Sequence, residues 1–360
     1  MRGARNGQRR FRVVHLPWDS TNPYLSCLAG ALQSEDVESV PGRGHRLFLI
    51  NNWLFWRANL LHFHWPDALI VNHSLSLTLL KSISFIVQVV LARATGLKVV
   101  WTAHDLYSND RHHTWIERPL MGMFVRLVGA VIAHGPEALS AVVKEYPMLK
   151  SNCVTVIPHG PLAVNPDRLP AREAARAALG LPDDAFIFLS FGQIRRYKGL
   201  DVLIEAFKTC FESRKAHLII AGAARDQEYA ASLIAGCSGQ GNITIRLGLV
   251  GEEEQLALFA ACDAVVLPYR EGLTSGVASL AVDFHRPCVA TRTPAALDAF
   301  GPDGAVYISR LSPEGVRVAL REAMGRSLSA DGIASFPPPR VRAGWAEIAK
   351  RTAAVYRTLL

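Results

Sequence analysis

Short apolar runs of strand length alternate with helical stretches along this chain, and that alternation constrains its fold more than any other feature. In the first half the runs are Phe11–Leu16, Arg46–Ile50, Asn59–Phe63, Lys98–Thr102, Ala130–Ala133 and Asn152–Ile157. The clearest of them end in polar or special residues, as strands do where a parallel sheet displays its ligand site. Leu162 to Arg172 is rich in proline and charge and reads as a linker. A second series follows at Phe186–Phe191, His217–Ala221, Ile243–Arg246, Ala264–Leu267, Pro287–Ala290 and Ala305–Ile308. The expected fold is therefore α/β, with two Rossmann-like, doubly wound domains facing one another across a cleft. The first domain is expected over residues 1–165 and the second over 166–335. Pro337-Pro338-Pro339 interrupts regular structure, and Trp345, Ile348, Thr352, Val355 and Tyr356 then recur at helical spacing. A closing helix over 340–360 is expected to pack its apolar stripe back on the first domain.

Half of the 360 residues are apolar and 19% are charged, a composition that excludes a disordered chain. The net charge of +8 favours anionic partners. Its basic residues are scattered and no nucleic-acid-binding module is present, so nucleic acid is not the expected partner. Cys27, Cys153, Cys210, Cys237, Cys262 and Cys288 lie far apart without metal-ligand spacing, which fits a reducing cytoplasm. Near the basic N-terminus (Arg2, Arg5, Arg9, Arg10, Arg12) the apolar stretch stops at Pro17-Trp18-Asp19, too short for a signal peptide. Leu75 to Ala92 is apolar but interrupted by Lys81 and Gln88. Two readings stand for it: a helix buried against the sheet, or a face dipping into a bilayer through Phe85, Ile86 and Val89.

Chemistry concentrates in two turns of the second half. After the run Ala264–Leu267 comes Pro268-Tyr269-Arg270-Glu271-Gly272-Leu273-Thr274-Ser275-Gly276, then an apolar helical segment. A strand, a small hydroxylated turn and a helix offer backbone N–H groups and a helix N-terminus to a phosphate. Phe191-Gly192-Gln193-Ile194-Arg195-Arg196-Tyr197-Lys198-Gly199 follows another strand in the same way. Arg195 and Lys198 can neutralise a leaving diphosphate, whereas Arg196 reads as a solvated basic turn. Tyr269, Thr274, Ser275 and Gly276 complete the candidate donor site.

In the first half Asn22 precedes Pro23 and Tyr24 as a helix cap, and its further contact with a substrate stays open. His62 and His64 alternate onto one side, and Trp65-Pro66 offers a rigid aromatic platform for a sugar face. A metal is not expected there, because these two histidines show no third ligand nearby in sequence. Thr102-Ala103-His104-Asp105 ends a strand where a catalytic base belongs; His104 or Asp105 takes that role, or the pair closes the strand by hydrogen bonding. Asp110, Arg111, His112 and His113 form a loop near the acceptor or ordinary surface.

Together these residues resemble the GT-B glycosyltransferases, and more closely the bacterial β-mannosyltransferases of exopolysaccharide assembly, the xanthan-type enzymes of glycosyltransferase family 94, with family 4 more distant. The resemblance rests on Thr21-Asn22-Pro23-Tyr24-Leu25, His62-Phe63-His64-Trp65-Pro66, Thr102-Ala103-His104-Asp105-Leu106 and His159-Gly160. It continues through Phe191-Gly192, Ile194-Arg195, Tyr197-Lys198-Gly199, Leu267-Pro268-Tyr269, Ser275-Gly276 and Arg286-Pro287. It implies a metal-independent hexosyltransferase with no cofactor, taking mannose from GDP-mannose with inversion. It also implies a polyprenyl-diphosphate-linked oligosaccharide acceptor and a peripheral place on the cytoplasmic face of the plasma membrane. Arg195 and Lys198 would hold the donor diphosphate; Asn22, Tyr24, His64 and Trp65 would meet the acceptor.

Three departures bear on that expectation. Glu271 lacks the second glutamate that retaining relatives carry about eight residues on, since Ser279-Leu280 stands there. Asp105 and Ser108-Asn109-Asp110 stand where relatives favour Asn and Pro-His-Glu, and Gln193 replaces an arginine. Other readings are a UDP-sugar donor (glucosyl or glucuronosyl), a retaining family-4-like enzyme, and a non-catalytic sugar-nucleotide-binding scaffold.

Overall fold

In the computed structural model the described residues are 11–20, 22–42, 47–49, 58–109, 113–149, 153–162, 168–211, 215–327 and 342–360. Among the residues discussed above, Arg2, Arg5, Arg9, Arg10, Thr21, Arg46, Ile50, Asp110, Arg111, His112, Asn152 and Pro337-Pro338-Pro339 lie outside them, as do residues 163–167 of the linker. The chain forms two compact units, Met1–Gly160 with Arg342–Leu360, and Pro161–Val341.

The first unit is built on a parallel sheet of β1 (Phe11–Leu16), β2 (Val37–Pro41), β3 (Leu60–Phe63), β4 (Lys98–Thr102), β5 (Ala130–Ala133) and β6 (Val154–Val156). Its strand order is β2-β1-β3-β4-β5-β6, so the direction of winding reverses between β1 and β3. Two expectations need correcting here. β2 lacks a continuous apolar run: only Val37 and Val40 are buried, and a salt bridge from Arg12 to Glu38 braces its pairing with β1. Conversely, Phe48 and Leu49 of the expected Arg46–Ile50 strand are helical, because their apolar side chains pack under a helix instead of between strands. Phe48 meets Phe63 and Phe85, and the Leu49 amide donates to the Gln88 side chain at 3.0 Å.

The helix Leu75–Ala94 resolves the two readings of its segment into opposite faces. Phe85 and Val89 are 1% and 0% exposed and belong to the core, so they cannot be the bilayer-facing residues. The outward face instead carries Leu80 and Ile83, each 65% exposed, with Val87 and Leu91 one and two turns on. It is long and apolar enough to cross a membrane, yet it buries Thr78, Ser82 and Gln88 inward against the protein. The final helix, Trp345–Thr358, buries Ile348, Thr352, Val355 and Tyr356 and packs on the helix Pro23–Leu32.

The second unit has a parallel sheet of β7 (Phe186–Phe191), β8 (Ala216–Gly222), β9 (Ile243–Leu247), β10 (Ala264–Leu267), β11 (Cys288–Thr291) and β12 (Val306–Ile308). The order β12-β11-β10-β7-β8-β9 is that of a Rossmann sheet, with its reversal between β7 and β10. Phe188, Leu218, Val266 and Val289 face one helical layer while Ile187, Leu189, Val265 and Ala290 face the other, which is why these strands read as continuous apolar runs. The fully buried Arg176 guanidinium donates to the carbonyls of Ala261, Asp183 and Ala185 and pairs with Asp263 at 2.7 Å, fixing the entry to β10.

Candidate functional site

In the second unit the two chemistry-bearing turns leave the carboxyl ends of β7 and β10, the neighbouring strands at which the winding reverses. Such a reversal leaves a crevice at the carboxyl edge, because adjoining connections depart to opposite faces. Gly192 opens the first turn at φ +91°, and a Cβ there would lie 3.0 Å from Lys198 Nζ and 3.1 Å from Val277. Gly199 closes it at φ +65°, where a Cβ would stand 2.2 Å from the Pro268 carbonyl oxygen. Glycine thus allows the two turns to touch.

Lys198 is 5% exposed, and its ammonium donates to the Phe191 carbonyl at 3.1 Å. It also lies 5.3 Å from the centre of the Tyr269 ring. Burial first, and the Arg195 charge second, pull its pKa from 10.5 down to about 7. Arg196 takes a different role, pairing with Asp226 at 2.9 Å and lying over the Tyr229 ring. Ser275 caps the helix Gly276–Asp283 by accepting from the Ala278 amide at 3.1 Å. That helix has no acidic residue in its first turn, so its N-terminal dipole is available to an anion. Tyr269 is buried against Tyr197, Thr274 precedes the cap, and Leu280, at the place of a second glutamate, is packed in the core.

The first unit gathers its polar residues at the same edge of its own sheet. His15, His62, His64, His104, His134 and His159 sit at or just beyond the carboxyl ends of β1, β3, β4, β5 and β6. Parallel pairing sets His15 opposite His62, and the rings of His62 and His64 are 4.1 Å apart. Burial holds all of these imidazoles well below their usual pKa; His134 falls to about 4 and His15 to about 3. Around them, His62 Nδ1 lies 2.7 Å from the Tyr356 hydroxyl and its Nε2 lies 2.8 Å from Thr102 Oγ1. Trp65 stacks on His104 at 4.5 Å, so one face of the expected platform is occupied by that imidazole.

Tyr24 is buried among His104, His134, His159 and Trp345, and burial raises its hydroxyl pKa. Asn22 caps the helix Pro23–Leu32 by accepting from the Tyr24 amide at 3.0 Å. Asp105 is half-buried and accepts from the Asn109 side chain at 3.2 Å. Tyr24, His64, Trp65 and His104 are thus brought together, while Asn22 and Asp105 make local contacts.

Sequence reasoning missed His15, His134 and Tyr356. A signal was present: apolar runs recurrently end in histidine, in Val13-Val14-His15, Leu60-Leu61-His62, Val131-Ile132-Ala133-His134 and Val156-Ile157-Pro158-His159. His15 also overturns the reasoning that no third ligand accompanies His62 and His64, since nitrogens of the three lie within 4.8 Å of one another. His15 Nδ1 and His64 Nε2 face each other at 3.0 Å, and both nitrogens of His62 have hydroxyl partners.

Residues 185–329 match the family described as glycosyl transferases group 1. The chain is 28% identical over 274 residues to the GDP-mannose:glycolipid 4-beta-D-mannosyltransferase of Xanthomonas campestris pv. campestris, covering 76% of this chain and 71% of that protein. It is 30% identical over 161 residues to the D-inositol 3-phosphate glycosyltransferase of Streptomyces avermitilis, covering 38% and 32%. Sucrose-phosphate synthase from Thermosynechococcus elongatus superposes with a TM-score of 0.70 over 97% of this chain and 99% of that one, at 16% identity. Two Rossmann-like units, the strand order of the second and these likenesses lead to one statement: the chain is a hexosyltransferase of GT-B fold, and its residues 185–329 are similar to the group 1 glycosyl transferases.

Proposed function

We propose that this enzyme transfers mannose from GDP-mannose, with inversion, to a polyprenyl-diphosphate-linked oligosaccharide during exopolysaccharide assembly. The observation that carries the donor half is Lys198, an ammonium buried beside Arg195 and the Ser275-capped helix, at a strand reversal suited to a diphosphate. Relatives named as GDP-mannose:glycolipid mannosyltransferases support the sugar, the base and the lipid-linked acceptor. Arg195 and Lys198 would stabilise the charge that develops on the leaving GDP, helped by the N–H groups at Ser275-Gly276. Leu280, in place of a second glutamate, supports inversion, with His104 as the base for the acceptor hydroxyl. Tyr24, His64 and Trp65 would shape the acceptor side, and the reaction needs no metal or cofactor in this reading.

A peripheral position on the cytoplasmic membrane face is supported by the outward side of the helix Leu75–Ala94. Leu80, Ile83, Val87 and Leu91 are joined on the adjacent helix Thr114–Leu127 by exposed Trp115 and Met123. Large exposed apolar patches of this kind mark interaction surfaces, and neither exposed row carries an acidic residue.

The test is a thermal-shift and donor-hydrolysis screen with GDP-mannose, UDP-glucose and UDP-glucuronate, followed by transfer to a polyprenyl-diphosphate oligosaccharide. GDP-mannose is expected to stabilise the protein and to be turned over. Stabilisation by UDP sugars alone would overturn the mannosyl assignment. Stabilisation without turnover on any acceptor would favour a scaffold.

A further inference from the structure

His15, His62 and His64 converge on one point of the first unit. Each offers a ring nitrogen within 4.8 Å of the other two, and the residues are 1%, 0% and 1% exposed. They arrive from neighbouring strands. Pairing of β1 with β3 sets His15 opposite His62, and His64 follows β3, its amide donating to the Leu16 carbonyl at 2.8 Å. These are also the strands between which the winding of this sheet reverses. Ligands of α/β sheets bind at the carboxyl edge of such a reversal, so the trio stands where the fold favours a bound group. As packing alone, three imidazoles fill that space at a cost, because each buries two polar nitrogens that an apolar residue would not.

The spacings suit a tetrahedral ion. Zinc binds imidazole nitrogen at about 2.0–2.1 Å, which sets two such nitrogens about 3.3 Å apart and their ring centres about 5.2 Å apart. His15 Nδ1 and His64 Nε2 are 3.0 Å apart. The His15 ring lies 5.3 Å from both the His62 and the His64 ring. The His62 and His64 rings, at 4.1 Å, have to open by about 1 Å.

The surrounding groups can orient all three ligands. A metal-bound imidazole gives its other N–H to an acceptor, which fixes its tautomer and direction. His15 Nε2 lies 3.2 Å from Ser39 Oγ, and His64 Nδ1 lies 3.3 Å from His104 Nε2. With the outward N–H groups placed there, His15 Nδ1 and His64 Nε2 turn lone pairs toward one another, and a cation shared by both relieves their repulsion. In the ion-free protein one N–H bridges that pair instead. His62 has a hydroxyl at each nitrogen, Tyr356 at Nδ1 and Thr102 at Nε2, at 2.7 and 2.8 Å. Tyr356 is the better fourth donor. Three neutral imidazoles leave the double charge of the ion uncompensated in a buried place, and a phenol loses its proton to a metal far more readily than an aliphatic hydroxyl.

We propose that His15, His62 and His64, with the Tyr356 hydroxyl, form a structural zinc site that ties β1 and β3 to the returning helix Trp345–Thr358. His62 binds through Nδ1 and gives its Nε2 hydrogen to Thr102. Each imidazole keeps one N–H, and the proton of Tyr356 leaves to solvent as the ion binds. No step of sugar transfer runs through this ion.

Zinc chloride titrated into the full-length, chelator-stripped protein against a chromophoric chelator tests the site by binding, not by turnover. One equivalent of tight binding is expected, with a rise in melting temperature. Nitrogen NMR of the histidine-labelled protein is expected to show zinc-induced shifts at His15 Nδ1, His62 Nδ1 and His64 Nε2. Cobalt(II) in place of zinc is expected to show the visible bands of a tetrahedral site. His15→Gln and His64→Gln are each expected to weaken binding by more than the roughly 10²-fold that loss of an outer partner costs, and Ser39→Ala by roughly tenfold. Calorimetry in buffers of different ionisation heat is expected to show one proton released by wild type and none by Tyr356→Phe. No uptake against the chelator, octahedral cobalt bands, or zinc shifts confined to other histidines would overturn the site, as would full affinity in either glutamine variant. The NMR and cobalt readings use the unaltered protein, so they decide the matter even where a variant fails to fold.

Discussion

Lys198 offers the sharpest quantitative test, because its burial makes donor binding and stability depend on pH in opposite ways. The lysine is 5% exposed, its ammonium donates to the Phe191 carbonyl, and Arg195 is the nearby charge that opposes it. Its pKa is lowered to about 7 in the folded protein, against 10.5 when unfolded. Between these values the unfolded chain binds the extra proton, so stability rises with pH across this window and the benefit is absent below pH 7. The difference corresponds to about 5 kcal/mol over the full interval, at roughly 1.4 kcal/mol per pH unit. A bound diphosphate supplies the missing counter-charge and raises the lysine's pKa again. Donor binding above pH 7 must then take up a proton, and affinity falls by up to about tenfold per pH unit.

Lys198→Met keeps the buried methylenes and removes the charge. It is expected to stabilise the empty protein at pH 7 by a few kcal/mol and to abolish protection by GDP-mannose. Chemical unfolding and calorimetric titration of both proteins from pH 7 to 9 measure the two effects. Wild-type affinity that stays flat over that range, or a Met variant less stable than wild type at pH 7, would refute the reasoning.

Other consequences concern the scaffold. Gly199→Ala places a Cβ 2.2 Å from the Pro268 carbonyl at φ +65°, and is expected to cost more than about 2 kcal/mol in unfolding experiments while weakening donor protection. Tyr356→Phe removes the hydroxyl from His62 and is expected to destabilise the first unit by about 1–3 kcal/mol, read from its denaturant midpoint. Replacing Leu80, Ile83 and Val87 by glutamate is expected to release the enzyme from anionic vesicles without loss of fold, measured by sedimentation and circular dichroism. Phe85→Glu should instead unfold it, because Phe85 is a core residue.

The strands of the second unit and the two turns that follow β7 and β10 were legible because their determinants are local. A strand buried on both faces is a continuous apolar run, and Ala264–Leu267 or Phe186–Phe191 announces itself without its neighbours. The turns follow from Gly192, Gly199 and the Ser275-Gly276 cap, whose conformational needs are written in residue type. The edge strand Val37–Pro41 was not legible, because its place depends on pairing with β1 and on Arg12 reaching Glu38. The outward face of the helix Leu75–Ala94 was not legible either: both of its sides are apolar, so composition could not tell Phe85 from Ile83.

The sequence by itself determined two α/β units, a pair of glycine-bearing turns after β7 and β10 in the second, and histidines at successive strand ends in the first. Only the tertiary structure decided that those histidines meet. His15, His64 and His104 are separated by 49 and 40 residues, and the order β1-β3-β4 brings them into one row. Strand order arises from non-local pairing and crossover handedness, which no local pattern encodes. Burial of the row, set by Tyr24, Trp65 and the returning Trp345–Thr358 helix, then fixes what its imidazoles can do with a proton.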